Sequence, residues 1–523
     1  MGIPYYFSYL IQNHKNIIKE LTSSKDYTSL FLDSNSIIYD SIDLNLYENN
    51  EQFESYLISM VIKKIEIIIK LINPTNIVYI TFDGVPPIAK LTQQKNRRYK
   101  SWYQANILNK KTVWDTCAIT PGTKFMTKLN NKLTEYFLNR KYNNYKIILS
   151  LTDEPGEGEH KICQYIRSNN LKNDNIIIYG MDADLIMLSL NHMKYCNSVL
   201  LYRETPIFIK SLDNSLDPNK TYLININELS KEIYNEITDS SNTESDNFIN
   251  KIEDYIFICF LLGNDFMPHF PAINIRINGF TVLLELYKSL FNNNKFLTKN
   301  GKIVWSNFRL FISKLAENEY NSLLEIYNIR NKQSKKVYTE ANDDEKERKF
   351  IATPTWERNI EKFINPYEEC WEFRYYYSLF DINIDENKDA IPNICINYLQ
   401  TLQWTYYYYS KGCVNWSHSY NYHYPPLLVD LYKHIPYFDS ELVLNEDKKV
   451  IHEYVLLSYV LSKYSLSLLP VKIHNYLLKN YENHYNTDYE FSYSFCKYFW
   501  EAHVKFPELN FDKFEKDIIK LVK

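Results

Sequence analysis

Several sequence features are scarce or absent in this chain. Glycine accounts for only 10 of 523 residues, whereas tyrosine alone accounts for 47. Asparagine, isoleucine and lysine are also heavily used, and we interpret this bias as AT-rich coding, which would suit a viral or protist genome. A single tyrosine therefore says little about function.

Closely spaced cysteines are also missing. The eight cysteines are scattered, and none forms a CxxC pair or a Cys/His cluster with zinc spacing. Structural zinc sites need such pairs, so the spacing argues against that class of site. Isolated thiols are typical of reducing compartments. We therefore predict an intracellular protein with reduced cysteines. As its compartment we expect the cytoplasm rather than the nucleus, a preference that the cysteines do not decide.

Long apolar runs are missing as well. No run reaches the roughly 18 residues of a membrane span, and IEIIIKLI is broken by charge at helical spacing. The start, MGIPYYFSYL, has no basic segment followed by an apolar stretch, so we expect no signal peptide. Tyr6 and Phe7 argue against myristoylation at Gly2. We predict no membrane partner.

The overall charge does not indicate a partner. The formal net charge is −4, so no basic excess points to nucleic acid. Charge must be read locally, because an acidic metal centre can mask a basic surface elsewhere. The length of 523 residues predicts two or three domains.

The chain changes character along its length. Residues 1 to about 290 alternate short β-rich runs with helical patterns, which favours an α/β fold with a mostly parallel sheet flanked by helices. Strands are predicted at 29–33, 76–82, 145–151, 175–181, 198–203 and 221–226. Helices are predicted at 51–73, 87–110, 123–140, 157–168, 184–192 and 250–262.

Two polar stretches interrupt this pattern. Residues 239–247 are interpreted as a mobile loop, and residues 331–349 as a charged linker or exposed insertion without apolar periodicity. Residues 355–523 are predicted to be mainly helical, with an irregular aromatic segment at 414–428. We thus predict a first domain at 1–330 and a mainly helical second region at 350–523.

Seven carboxylates stand in positions that suit a metal centre, and most follow buried strands or turns. They are Asp33 in LFLDSN, Asp83 in ITFDGVPP, Glu157 and Glu159 in PGEGEHK, Asp182 and Asp184 in YGMDADLIML, and Asp265 in LLGNDFMPH. Sites assemble at the carboxyl ends of such strands. Gathering these charges is costly unless divalent cations neutralise them, and two ions can also clamp a phosphoryl displacement. Each motif alone could be an ordinary helix start, but their joint occurrence favours the metal centre.

A basic set follows Asp83. Lys90, Gln94, Arg97 and Arg98 stand at i, i+4, i+7 and i+8, which is one helical face. Converging donors of this kind bind a phosphate monoester, although a solvated charged face is the ordinary alternative.

Other polar and aromatic side chains leave two interpretations open. His160 and Lys161 could contact a phosphate or could belong to a helix turn, and His269 resembles a loop histidine. Tyr39 and Trp416 are candidates for stacking on bases, with ordinary packing as the alternative.

In order along the chain, these segments resemble the Xrn family of 5′→3′ exoribonucleases. The resemblance rests on MGIPYYFSYL, LFLDSNSIIYD, FDGVPPIAKLTQQKNRRYK, PGEGEHKICQYIR, YGMDADLIMLSLNH, FICFLLGNDFMPHFP and the C-terminal LQWTYYYYSKGCVNWSHSYNYHYPPLLVDL. It implies a PIN- or flap-endonuclease-like nuclease core, with a second conserved region that completes the wall of the active site.

The resemblance also implies roles for the residues selected above. The seven carboxylates would bind two Mg²⁺ ions, or Mn²⁺, and the basic face would bind the 5′-monophosphate of single-stranded RNA. The implied activity is stepwise hydrolysis to 5′-mononucleotides, in RNA degradation such as mRNA decay. The family usually has a histidine where this chain has Tyr39, and a second tryptophan where it has His418.

Two other functions remain open at this point. A structure-specific flap-type DNA nuclease shares the acidic constellation, although no clear helix-hairpin-helix follows Asp265. A catalytically inactive RNA-binding scaffold is the other, and the presence of all seven carboxylates argues against it.

Overall fold

The computed structural model describes residues 6–21, 27–43, 49–110, 114–203, 216–217, 220–239, 247–291, 295–443 and 450–522. Gly2 and most of the segment 239–247 lie outside these ranges, as do the predictions made for them. Within the ranges, no helix combines the length and the apolar character that crossing a membrane requires.

A seven-stranded sheet forms the centre of the first half of the chain, in the order β1-β7-β6-β5-β2-β3-β4. Its strands are β1 (Ile18–Glu20), β2 (Ser29–Asp33), β3 (Ile77–Thr81), β4 (Lys146–Ser150), β5 (Leu171–Tyr179), β6 (Cys196–Tyr202) and β7 (Tyr222–Asn225). The five strands from β6 to β4 are parallel, and β7 runs antiparallel between β6 and β1. The predicted mostly parallel sheet is confirmed.

The bounds of the predicted strands differ from the observed bounds where a strand contains few apolar residues. β2 has the predicted bounds, but β5 begins at Leu171 rather than at 175, with an irregular register between Leu171 and Asn175. Of the four added residues, only Leu171 is apolar and buried, and Lys172 and Asn173 are exposed, so the four show no apolar pattern. β1 was not predicted, because three residues are too few to show a pattern.

Side chains of the central strands alternate between two apolar cores. Leu30 and Leu32 of β2 belong to one core, and Phe31 belongs to the other. Since helices cover both faces, each of these side chains is fully buried. Burial of a large apolar side chain contributes about 1.5–3 kcal/mol, which makes the strand a rigid support for the residue at its end.

The helices of the first half surround this sheet. They are α1 (Tyr6–Asn13), α2 (Asn35–Asp40), α3 (Asn50–Ile72), α4 (Ile88–Ile107), α5 (Lys124–Leu138), α6 (Gly158–Ser168), α7 (Asp184–His192), α8 (Ile226–Thr238) and α9 (Phe248–Cys259). The six predicted helices are present, with ends within three residues of the prediction. Side-chain caps fix some ends, since Asn49 accepts from the Gln52 amide before α3.

The C-terminal region is mainly helical, as predicted. Its helices, with those that lead into it, are α10 (Gly279–Leu290), α11 (Trp305–Glu317), α12 (Glu319–Gln333), α13 (Asp343–Ile351), α14 (Asn359–Ile364), α15 (Trp371–Phe380), α16 (Ala390–Ser410), α17 (Leu428–His434), α18 (Glu453–Val460), α19 (Val471–Asn480) and α20 (Phe511–Val522). Two hairpins accompany them: β8 (Thr298–Lys299) with β9 (Lys302–Ile303), and β10 (Phe491–Ser492) with β11 (His503–Val504).

The charged stretch 331–349 contains a helix that was not predicted. It is exposed, but α13 begins within it, capped by Asn342 and carrying three acidic residues in its first turn. Glu347 accepts hydrogen bonds from Lys110 and Gln104, so α13 lies against the far end of α4. The division of the chain into domains at this stretch stays a prediction.

Candidate active site

The sheet order brings three of the predicted acidic residues together. β2 lies between β5 and β3, so the carboxyl ends of these parallel strands are neighbours. Asp33 ends β2, Asp83 follows β3 by two residues, and Asp182 follows β5 by three. Burial raises the pKa of Asp33 well above its usual value, and the neighbouring carboxylates Asp83 and Asp182 raise it further.

The turn before α6 fits closely between these strand ends. The amide of Gly158 donates to Asp83 Oδ1 at 2.7 Å, and Asn35 donates to Asp83 Oδ2 at 2.5 Å. A Cβ atom on Gly158 would lie 2.5 Å from Asp33 Oδ1. Only glycine lets the helix start approach the carboxylates this closely.

The first turn of α6 supplies two further carboxylates. Glu157 and Glu159 are buried, and together with His160 they offer ligand atoms that all lie within 4.8 Å of one another. In the described part of the chain, Glu159 Oε2 and His160 Nδ1 are buried without hydrogen-bond partners. This group is the arrangement that a divalent cation would complete.

Asp184 and Asp265 extend the acidic group. Burial, followed by Asp265, raises the pKa of Asp184 to about 7. Burial, followed by Asp184 and Glu157, also raises the pKa of Glu159. All seven predicted carboxylates are therefore linked through space, and we call them the carboxylate cluster: Asp33, Asp83, Glu157, Glu159, Asp182, Asp184 and Asp265.

Lys90 lies within the carboxylate cluster. Its Nζ is 2.5 Å from Glu157 Oε1 and 2.6 Å from Asp265 Oδ2. Burial opposes the charged form of this lysine, but Asp265 and Glu157 hold its pKa well above the usual value. In this structure Lys90 thus pairs with the carboxylates, whereas the sequence predicts that it binds phosphate.

The other residues of the predicted basic face lie together on α4. Arg98 donates to Gln94 Oε1 at 3.3 Å and to Thr120 Oγ1 at 2.9 Å, while Arg97 is exposed. Tyr39 lies at the end of α2 and is 47% exposed. Its pKa is raised by partial burial of the ring, and the nearby charges of Arg97 and Arg98 oppose this rise. The face therefore offers an arginine to solvent beside an exposed ring.

Trp416 lies between the start of α4 and the turn before α6. Its carbonyl accepts from the Ile88 amide at 2.9 Å, and its ring is 4.0 Å from the position of a Cβ on Gly156. His418 instead packs on Trp404, with ring centroids 5.8 Å apart, and its Nε2 lies 2.9 Å from Thr401 Oγ1. Of these two residues, only Trp416 lies beside the turn that carries Glu157.

Tyr408 of α16 was not predicted as a site residue. Its hydroxyl donates to Glu157 Oε2 at 3.0 Å, and its ring stacks on His160 with centroids 3.6 Å apart. Trp404, one turn earlier, stacks on the other side at 4.8 Å. The only signal in the sequence is an aromatic pair four residues apart, which a tyrosine-rich composition conceals.

Two further residues, Lys161 and His269, contact only the surrounding fold in the contacts described here. Lys161 donates to the carbonyls of Phe82 and Leu151 at 2.9 and 2.6 Å, so it ties α6 to the ends of β3 and β4. His269 packs against Gly263, whose backbone leaves no room for a Cβ there. These contacts favour the packing interpretation for both residues.

Comparisons with known proteins cover most of the chain. Residues 1–205 match the family model for the XRN 5′-3′ exonuclease N-terminus, and residues 245–362 and 357–521 match that for the Xrn1 helical domain. The chain is 26% identical to 5′-3′ exoribonuclease 1 of Saccharomyces cerevisiae, over 83% of this chain and 37% of that protein.

Two further relatives extend this picture. Human 5′-3′ exoribonuclease 1 is 26% identical over 97% of this chain and 33% of its own length. Arabidopsis thaliana 5′-3′ exoribonuclease 2 is 24% identical over 97% of this chain and 66% of its own length. The chain thus spans between one third and two thirds of the curated relatives named here.

Proposed function

We propose a function from one premise: the chain belongs to the XRN family. The proposed reaction is stepwise hydrolysis of single-stranded RNA from a 5′-monophosphorylated end, with release of nucleoside 5′-monophosphates. The proposal rests on one spatial arrangement. The carboxylate cluster lies beside the basic face of α4, with Tyr39 next to Arg97 and Arg98.

The carboxylate cluster fits divalent cations. Glu159 and Asp184 are buried with raised pKa values, and Glu159 Oε2 has no hydrogen-bond partner in the described ranges. We propose that the seven carboxylates hold two Mg²⁺ ions, with Mn²⁺ as the alternative. The chemistry that such a pair supplies when bound is acidification of a water and stabilisation of the leaving 3′-oxygen.

Lys90 couples the carboxylate cluster to the basic face. Its ammonium pairs with Glu157 and Asp265. Bound cations would neutralise these carboxylates in its place and so release the ammonium. The freed ammonium lies one helical turn from Gln94 on α4, so it can join Gln94, Arg97 and Arg98 on a 5′-phosphate. A pocket built for one phosphate would exclude a cap or a triphosphate.

Two aromatic rings would position the bases. Tyr39 is exposed beside the arginines, and Trp416 lies beside the glutamate turn. Stacking of a base on such a ring contributes roughly 1–3 kcal/mol and does not depend on sequence. This contact would hold the first nucleotides so that the scissile phosphodiester lies over the carboxylate cluster.

The test is digestion of 3′-labelled single-stranded RNA that carries either a 5′-monophosphate or a 5′-hydroxyl, with Mg²⁺. We expect the wild type to degrade the monophosphate substrate preferentially. Arg97→Gln should lower kcat/KM on that substrate by about ten- to a hundredfold, since it removes a charge-assisted contact. Lys110→Gln, which changes a lysine paired with Glu347 beyond α4, is the matched control and should have no effect.

Three outcomes would contradict the proposal. Equal degradation of both RNAs by the wild type would argue against a phosphate pocket. Cleavage of a flapped DNA duplex at its junction, with RNA left intact, would favour the flap-type nuclease. RNA binding without turnover, in Mg²⁺ or in Mn²⁺, would favour the inactive scaffold.

A further inference from the structure

A buried histidine stands next to the two glutamates at the start of α6. His160 directly follows Glu159 in the first turn of this helix. Glu157, Glu159 and His160 each offer one ligand atom, and these three atoms lie within 4.8 Å of one another. Donors that share one ion at bonds of about 2.0–2.2 Å lie at most about 4.4 Å apart. Only a small adjustment therefore separates this arrangement from one in which the three donors share an ion.

One nitrogen of His160 is not used by the surrounding chain. Its Nδ1 is buried and has no hydrogen-bond partner in the described ranges, and the same holds for Glu159 Oε2. Leaving a buried polar atom unpaired costs about 1–3 kcal/mol. His192 of α7 shows the contrasting case, since its Nδ1 lies 2.7 Å from the Leu188 carbonyl oxygen and its Nε2 lies 2.7 Å from Arg167 Nη1. Two consecutive residues of α6 thus hold unused donors beside Glu157.

Two tyrosines of α16 fix the orientation of the His160 ring. The ring stacks on Tyr408 with centroids 3.6 Å apart, and it meets Tyr409 edge-on with centroids 5.8 Å apart. Tyr408 also donates to Glu157 Oε2 at 3.0 Å. The same tyrosine therefore contacts an oxygen donor and a nitrogen donor of the group, as residues that support metal ligands do.

A neutral ligand suits this place in the carboxylate cluster. With all of its members ionised, the cluster carries more negative charge than two divalent cations and the ammonium of Lys90 can offset. An uncharged imidazole adds a metal ligand without adding to this excess. A nitrogen donor can thus complete the group where a further carboxylate would increase the repulsion.

We propose that His160 is a ligand of the metal centre, which binds through Nδ1 beside Glu157 and Glu159. The inference rests on the proposed function, because it needs cations in the carboxylate cluster. It also goes beyond it, since a nitrogen ligand changes the metal preference. Mg²⁺ is bound mainly by oxygen, whereas imidazole suits transition-metal ions. We therefore expect one position of the metal centre to favour a transition-metal ion over Mg²⁺.

The row of stacked rings supplies a matched control. Trp404 stacks on Tyr408 with centroids 4.8 Å apart, and His418 packs on Trp404 at 5.8 Å. The Nε2 of His418 lies 2.9 Å from Thr401 Oγ1, so this imidazole already has a partner. His160→Phe and His418→Phe both keep a flat ring and remove an imidazole, but only His160→Phe removes the proposed ligand.

The experiment is pulsed electron paramagnetic resonance of Mn²⁺ bound to the full chain without RNA. The ¹⁴N nucleus of a coordinated imidazole modulates the electron spin echo of Mn²⁺. We expect this modulation in the wild type and in His418→Phe, and its loss in His160→Phe. Bound Mn²⁺ without nitrogen modulation in the wild type, or modulation that persists in His160→Phe, would overturn the inference.

This readout separates the inference from the proposed function. Nitrogen modulation in a wild type that hydrolyses no RNA would contradict the proposed reaction and still support His160 as a ligand. Mn²⁺ bound without nitrogen modulation would leave the carboxylate centre standing and overturn only the role of His160. A wild type that binds no Mn²⁺ would overturn both.

A second variant keeps the test decisive if His160→Phe does not fold. His160→Asn places an amide oxygen near the position of Nδ1, so a neutral donor remains but oxygen replaces nitrogen. Calorimetric titrations of Co²⁺ and Mg²⁺ without RNA measure the effect on metal preference. The affinity for Co²⁺ relative to Mg²⁺ should fall by at least about tenfold, the loss that removing even a supporting group typically causes. A purely structural role would weaken both ions alike, so an unchanged ratio would overturn the inference.

Discussion

At the scale of single residues, the carboxylate cluster has two neighbours with different roles. Lys90 compensates the charge of Glu157 and Asp265, whereas Tyr408 donates a hydrogen bond to the other oxygen of Glu157. Both contacts orient Glu157, but only the ammonium of Lys90 lies where it would compete with a cation. In the proposed metal site, Tyr408 would therefore hold Glu157 in place without taking the space of a cation.

This role predicts the effect of Tyr408→Phe. The variant keeps the ring that stacks on His160 and loses the hydroxyl that orients Glu157. Loss of such a supporting hydrogen bond typically weakens metal binding by about 10–100-fold. Calorimetric titration of Mn²⁺ without RNA measures this directly.

The neighbouring tyrosine is the control for this prediction. Tyr407 donates to Glu441 instead of Glu157, so Tyr407→Phe removes the same atom from the same helix. Its Mn²⁺ affinity should equal that of the wild type. Equal affinities for all three proteins would show that Tyr408 has no part in metal binding.

The proximity of the carboxylates can be predicted from the sequence more readily than the residues that contact them. Asp33 and Asp83 follow apolar runs that end at one edge of the sheet, so their proximity follows from strand order. Tyr408 comes from a helix 251 positions after Glu157, and no local pattern reports such a contact. The pairing of Lys90 with acids also depends on packing between α4 and the loop of Asp265.

At the scale of elements, the sequence predicts what apolar periodicity determines. The helix at 184–192 and the strand at 29–33 have their predicted bounds, because buried side chains define both. Helix α13 has no buried residue and depends on its cap and on its charges, so apolar periodicity in the sequence does not indicate it.

Glu319, at the start of α12, links two elements and makes stability depend on pH. Its carboxylate accepts from the amides of Leu428 and Val429 at 2.7 and 3.0 Å, which caps the start of α17. Burial raises its pKa to about 7, although these hydrogen bonds oppose the rise. The folded state therefore binds a proton at a pH where the unfolded chain does not.

The sign of the effect follows from this difference. The stability from Glu319 is fully present below the unfolded pKa of 4.5 and is lost as the pH rises through about 7. The free energy of unfolding of the wild type should therefore fall relative to Glu319→Gln between pH 5 and pH 8, by at most about 1.4 kcal/mol per pH unit. Denaturant unfolding at several pH values measures it, and a difference that stays constant would contradict the prediction.

At the scale of the whole molecule, the C-terminal region shares a core with the sheet region. Rings of α16 contact rings that precede Asp265: the centroids of Phe257 and Tyr406 are 5.7 Å apart, and those of Phe260 and Tyr409 are 5.0 Å apart. Tyr408 of the same region contacts Glu157 of the carboxylate cluster, and Trp416 lies beside Gly156 in the turn that precedes it. The cluster is thus completed by chain that follows the predicted first domain.

This shared core predicts the behaviour of a fragment of residues 1–330. Without α16 the fragment would expose the apolar faces of Phe257, Phe260 and Phe266, and contiguous exposed patches of this kind promote aggregation. We expect aggregation or strong binding of a hydrophobic dye, measured by size-exclusion chromatography and by fluorescence. A monomeric fragment with cooperative unfolding would instead support residues 1–330 as an independent domain.

The most direct test of the proposed function follows the fate of the first nucleotide. Single-stranded RNA labelled with ³²P in its 5′-monophosphate is incubated with Mg²⁺ and either the wild type or Asp184→Asn. We predict that the label from the wild type appears from the first time point as nucleoside 5′-monophosphate, and that Asp184→Asn releases none. Label first released in oligonucleotides, or equal release by Asp184→Asn, would contradict 5′→3′ hydrolysis at the carboxylate cluster.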